Sequence, residues 1–277
     1  METCEMKNWE EFEEERRSLE SQRAALESKG RGNYVSPVLF RGQGSSDWKL
    51  ETTWERYRPN PPSNSVGYYY RGIFLAKPQI ESSTERRWEI PTCDEFLKQL
   101  NQQECPTLPE LPGYDFWVYL RHFRFPSPLL DWSRSPYVAA FFAFNDVASQ
   151  PGNRVAIFAY QEYIGEPKRR HPQAAYISTT GPYVRTHMRH VLQQSDYTLG
   201  LVRVPDEWCF ASHETALDSV PNQREIMRKF TIPSTDRTKV LRMLDRFNLN
   251  AYSLFGSEES LVASVANREF MFRPPGL

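Results

Sequence analysis

Residues 136 to 144, PYVAAFFAF, set the first constraint on this chain. A helix built from them is apolar on nearly every face, so other elements must enclose it on all sides. A bilayer cannot provide that enclosure, because its core needs a helix of about 20 apolar residues. Pro136 fits the first turn of such a helix, where a missing N–H costs nothing. The chain must therefore build a core large enough to hold a whole helix. With 277 residues, 39% hydrophobic and 14% aromatic, it has the material to do so in one large domain or two small ones.

Hydrophobic spacing supplies elements to surround that helix. Trp9, Phe12, Leu19 and Leu26 predict an amphipathic helix over residues 8–28, ended by Gly30 and Gly32. Tyr34 to Phe40 (YVSPVLF) reads as a strand that delivers Arg41 and Gly42 at its end. Further helices are expected at Thr92–Leu100, Tyr114–His122, Thr238–Asp245 and Ser257–Ala266, with strands at Arg154–Tyr160, Leu199–Val204 and Phe230–Pro233. Residues 58–65 (RPNPPSNS) read as a loop insertion rather than a domain boundary. Strands and helices mix without strict βα alternation, which predicts a single α+β domain over residues 1–277.

Several function classes lack their signatures. The net charge of −1 drives the chain toward neither nucleic acid nor membrane. Cys4, Cys93, Cys105 and Cys209 are scattered without a CxxC pair, against a zinc ribbon or a disulfide scaffold. The acidic, polar start (METCEMKNWEEFEEE) is unlike a signal peptide, so the expected compartment is the reducing cytoplasm, with no membrane partner. There is no Walker loop, GxGxxG or GxSxG. His187 and His190 have the i,i+3 spacing of a helix face but no third ligand at suggestive spacing, and no metal is expected.

Two blocks together resemble the FRG domain, a family named for an aromatic-Arg-Gly signature. The first is Phe40-Arg41-Gly42-Gln43, followed by Trp48, Leu50 and Arg56. The second runs from His122 to Phe144 (HFRFPSPLLDWSRSPYVAAFFAF) and carries Leu129-Leu130-Asp131-Trp132. The family has a glycine where Arg124 stands, and Thr-Arg where Ser127-Pro128 stand. With the opening helix, the resemblance covers roughly residues 8–265.

A third element, Gln223-Arg224-Glu225-Ile226-Met227, resembles the Q-x-E strand of Arg-Ser-Glu ADP-ribosyltransferases. That likeness implies a split β-sheet flanked by helices around an NAD cleft, with NAD as substrate. It implies catalytic roles for Glu225, Gln223 and Arg41, and NAD contacts from Arg41, Gly42, Gln43, His122 and a serine. Arg41 would grip the pyrophosphate through paired charged hydrogen bonds. Glu225 would stabilise the cation formed as the nicotinamide–ribose bond breaks, and Gln223 would position the nucleophile. The serine is Ser133 or Ser135 in the second block, or Ser178 in an alternative block (ISTTGPY); one sequence does not choose between them.

The resemblance implies an ADP-ribosyltransferase acting on a macromolecule, as a bacterial toxin or anti-phage effector restrained by an antitoxin protein. The basic stretch Lys168–His171, with Arg185, Arg189 and His190, favours RNA over DNA or protein as the target. Two other readings stand beside it. One is a nucleotide- or nucleic-acid-binding module without chemistry; the other is a hydrolase with His122 and Asp131 as acid/base partners. Asp131 and Trp132 also suit purely architectural roles, a turn cap and a core filler. Ser133 suits an N-cap for the helix at Pro136, and His122 a buried loop anchor.

Overall fold

The computed structural model describes residues 1–29, 34–57, 63–145, 153–165, 170–171, 173–181, 184–219 and 225–273. The first part comprises β1 (Glu2–Glu5), α1 (Trp9–Glu27), β2 (Tyr34–Val35), β3 (Leu39–Gln43), α2 (Thr53–Tyr57), α3 (Val66–Thr84), α4 (Cys93–Asn101) and α5 (Tyr114–His122). Next come β4 (Leu130–Ser133), α6 (Pro136–Asn145), β5 (Arg154–Gln161), β6 (Ile164–Gly165), β7 (Tyr176–Thr180) and α7 (Met188–Leu192). The last part holds β8 (Ser195–Val204), β9 (Glu207–Phe210), α8 (His213–Asp218), β10 (Ile226–Pro233), α9 (Arg237–Arg246), α10 (Ala251–Phe255) and α11 (Glu258–Ala266).

The result is an α+β arrangement, a curled sheet flanked by helices. The main sheet has the order β1-β10-β5-β3-β4-β8-β7, with β9 also on β8. Among the described strands of this sheet only β1–β10 is parallel; the other pairs are antiparallel. The strands β2 and β6 form a separate pair. β4 and β5 flank β3, and across it the rings of Trp132 and Tyr160 pack 5.7 Å apart. No helix among the described residues is long and apolar enough to cross a membrane.

The apolar helix is α6, and it is enclosed as its composition demands. Val138, Ala139, Ala140, Phe141, Ala143 and Phe144 are buried among Trp9 and Phe12 of α1, Val240, Leu241 and Leu244 of α9, and Phe40, Ile157 and Phe230 of the sheet. Gly42 makes this possible. A Cβ at that position would lie 1.9 Å from the Ala139 carbonyl oxygen and 2.6 Å from the Ala143 nitrogen. The glycine therefore lets the helix backbone touch the strand.

A second core, under α3, α4 and α5, is aromatic. Tyr70 stacks on Phe96 with ring centroids 3.6 Å apart, and Trp117 packs against Tyr69. Tyr69 and Tyr70 are thus buried in this packing. The spacing of apolar residues does not announce α3, because Gly67, Gly72 and Pro78 interrupt it. Its N-cap, Ser65, accepts from the Tyr68 N–H and belongs to the stretch expected to be a loop. Residues 58–62 of that stretch lie outside the described residues.

One expected strand is two. Between β2 and β3, Pro37 has no N–H to give, and the Ser36 hydroxyl accepts from the backbone of Glu162 and Tyr163 instead. This displaces Arg41 and Gly42 from the end of a strand to the middle of β3.

Candidate functional site

Strand β3 alternates Leu39, Arg41 and Gln43 on one face with Phe40 and Gly42 on the other. It meets β4 at a single pair, Phe40 with Ser133; beyond that pair Arg41–Gln43 stay with β5, while Leu130–Trp132 stay with β8. The two strands part, and a cleft of about 510 Å³ opens where they do.

Arg41 reaches across this opening. Its Nη1 donates to the Asp131 carbonyl oxygen at 2.7 Å and to Asp131 Oδ1 at 2.5 Å. Arg121, from the last turn of α5, donates through Nη2 to the same Oδ1 at 2.6 Å. Burial opposes ionisation of Asp131, but the charges of Arg121 and Arg41 outweigh it and hold the carboxyl well below the usual carboxylate range. Asp131 is thus an anion clamped by two guanidiniums rather than a turn cap. Trp132 fills the core as its size suggests, and its indole N–H donates to the Thr198 hydroxyl at 2.7 Å.

Arg56 and Arg124 also line the cleft, as do Trp48, Phe142 and Phe255. Arg124 stands in the left-handed region, with φ of 64°. This explains the glycine of the FRG signature at that place, since only glycine adopts such a φ without steric cost. Here the chain carries a long cation there instead.

The expected site residues fall into two groups. Arg41, Gly42, Gln43 and Ser133 line the cleft. The Ser133 hydroxyl is already engaged, donating to the Gln193 carbonyl at 2.8 Å and accepting from the Ser135 N–H at 3.0 Å. Ser135, rather than Ser133, caps α6, accepting from the Val138 N–H at 3.3 Å. Ser178 is fully buried and accepts from the Leu108 N–H at 2.8 Å.

Glu225 is not brought to Arg41. The registers place it two strands across and four residues along, roughly 17 Å away by ordinary strand spacing. Buried Leu39, Phe158 and Tyr160 fill the sheet face between them. The Glu225 carboxylate instead accepts a 2.6 Å hydrogen bond from the Tyr160 hydroxyl. Gln223 lies outside the described residues.

His122 does not pair with Asp131 either. Its Nε2 lies 2.7 Å from the Tyr197 hydroxyl, which also contacts His190 Nδ1 at 2.8 Å. Burial lowers the His122 pKa to about 4; Asp131 opposes the shift, while His190 and Arg121 add to it. The imidazole is therefore neutral in the folded chain where it would be charged in the unfolded one. Between pH 6.5 and 4 the unfolded state binds the extra proton, so stability falls as the pH drops through that window. We expect His122→Gln to flatten that part of the stability–pH curve, by about 2–3 kcal/mol between its ends. Urea unfolding at pH 7 and pH 4.5 measures it, and equal losses in both proteins would refute it.

Among the described residues no three His, Cys, Asp or Glu are grouped as metal ligands. Two arginines of the basic stretch are held within the fold, while His171 and Arg185 are exposed. Arg170 pairs with Glu162 and lies over the Tyr176 ring, and Arg189 lies over Phe255. Lys168 and Arg169 lie outside the described residues. Arg121 is the cleft side chain that the sequence concealed, since nothing at the end of an aromatic helix marks one arginine as facing a cleft.

Residues 36–151 match the FRG domain. The match includes most of the cleft lining, from β3 through Asp131 to α6, and leaves Gln193, Ser195, Phe255 and Glu225 outside. No curated protein and no solved structure matched the chain.

Proposed function

We propose that the FRG cleft binds a phosphorylated nucleotide, with NAD as the first ligand to test. The observation that carries this reading is the charge of its wall. Four guanidiniums, from Arg41, Arg56, Arg121 and Arg124, face one carboxylate, Asp131, which leaves three positive charges in excess. Guanidiniums grip phosphate oxygens in paired, charge-assisted hydrogen bonds. Trp48, Phe142 and Phe255 add aromatic surface against which a base can stack, and about 510 Å³ lies within the range of small-molecule sites.

Arg124 provides the cleanest test, because its left-handed backbone makes glycine the easier residue there. Arg124→Gly is expected to keep or raise stability, by up to about 1 kcal/mol, while weakening nucleotide affinity about tenfold. Equilibrium dialysis with labelled NAD and ADP, alongside thermal unfolding, reads both quantities. Failure of the folded wild-type chain to bind NAD, ADP or pyrophosphate would overturn the proposal.

A second reading keeps ADP-ribosyl transfer, and the Tyr160–Glu225 hydrogen bond favours it at a different place. Tyr160 lies beside Thr179, and Thr179 lines a smaller cavity of about 190 Å³ together with Arg134 and Glu162. An arginine, a hydroxyl and Glu225 therefore gather near the ISTT block rather than near Ser133. On this reading Glu225→Gln abolishes nicotinamide release from NAD and Arg124→Gly does not, with RNA the first acceptor to try. Nicotinamide release unchanged in Glu225→Gln removes that residue from the chemistry.

A further inference from the structure

We infer that Gln43 selects the ligand of the FRG cleft by accepting a hydrogen bond from a neutral donor on it, so that the site takes nucleotides in preference to inorganic polyphosphates. The inference rests on the nucleotide reading and adds to it the class of group that the wall recognises.

Gln43 lines the cleft, yet the residue is only 5% exposed. Its Nε2 donates to the Lys49 carbonyl oxygen at 3.3 Å. A carbonyl at that place fixes the orientation of the amide, since the reversed amide would set two acceptors against each other. Oε1 is then left as a buried acceptor with no hydrogen-bond partner among the described residues. Leaving such an atom unmet is costly, and native structures do so where a ligand or water completes the bond.

The same wall holds the converse. Arg41 Nε and Arg121 Nε are buried donors, also without a partner among the described residues. One unmet acceptor beside unmet cationic donors is the complement of a molecule that carries anionic oxygens and an O–H or N–H together. Pyrophosphate gripped by these guanidiniums gives up its last proton, offers acceptors alone and leaves Gln43 unmet. A nucleotide offers both, the donor being a ribose hydroxyl or a base amine.

Titration calorimetry of wild type and Gln43→Met with ADP, ribose 5-phosphate and pyrophosphate tests this. The expected result is about a tenfold loss of ADP affinity in Gln43→Met, with pyrophosphate affinity unchanged. A parallel loss for ribose 5-phosphate assigns the donor to the ribose, and a loss confined to ADP assigns it to the base. An unchanged ADP affinity, or an equal loss for all three ligands, overturns the inference and leaves the nucleotide reading standing. If wild type binds none of the three, nor NAD, the nucleotide reading itself fails. Should Gln43→Met not fold, the wild-type series decides, and pyrophosphate bound as tightly as ADP overturns the inference.

Discussion

Gly42→Ala is expected to destabilise the chain by at least about 3 kcal/mol, a large share of the total stability of a domain. The added methyl would sit 1.9 Å from the Ala139 carbonyl oxygen and 2.6 Å from the Ala143 nitrogen, and both are backbone atoms. A flexible side chain would swing away from such a clash. A helix backbone has to move as a whole, and α6 is held on its other sides by α1 and α9. Overpacking of this kind exceeds the usual cost because the neighbour has no rotamer to change. Urea denaturation gives the number directly. A midpoint equal to that of wild type would mean that α6 can slide along the sheet, and would sink the account of the glycine in the FRG signature.

Asp131→Ala is expected to cost about 3 kcal/mol or more at pH 7 through a different mechanism. It removes one anion and leaves Arg41 and Arg121 facing each other without compensation. The arginines hold the Asp131 pKa below its unfolded value, so the group contributes stability above about pH 4, where both states are ionised. That contribution is lost as the pH falls toward the depressed folded pKa, because the unfolded state then takes up the proton first. The gap between wild type and Asp131→Asn should therefore narrow below pH 4 and stay constant from pH 5 to 7. A gap that widens in acid would contradict the clamp.

The aromatic-Arg-Gly and Leu-Leu-Asp-Trp blocks were legible before any coordinates, because each local choice of residue serves its own element. Phe40 belongs to a strand, Gly42 to a close approach, Trp132 to a core, and Pro136 to a helix start. Less could be read of the site. Ser133 and Ser178 look alike as hydroxyls, yet one closes the turn before α6 and the other satisfies the backbone of Leu108. Glu225 resembles a catalytic glutamate by its neighbours in the chain, but register sets it four residues from the Arg41 row, with Tyr160 as its partner.

The amino-acid pattern by itself determined that a wholly apolar helix had to be enclosed, that strands and helices would mix, and where α1, α4, α5, α6, β5, α9 and α11 lie. These are consequences of local spacing and of the free energy of burying apolar surface, which any compact arrangement of this chain must satisfy. Only the tertiary structure decided which charges meet. Arg41 and Arg121 converge on Asp131 from elements 90 and 10 residues away, because β3 and β4 share one pair and then diverge. That divergence depends on strand order and register, which are set by the whole sheet at once. For this reason the cleft, its excess of positive charge and the unmet acceptor of Gln43 were not readable along the chain.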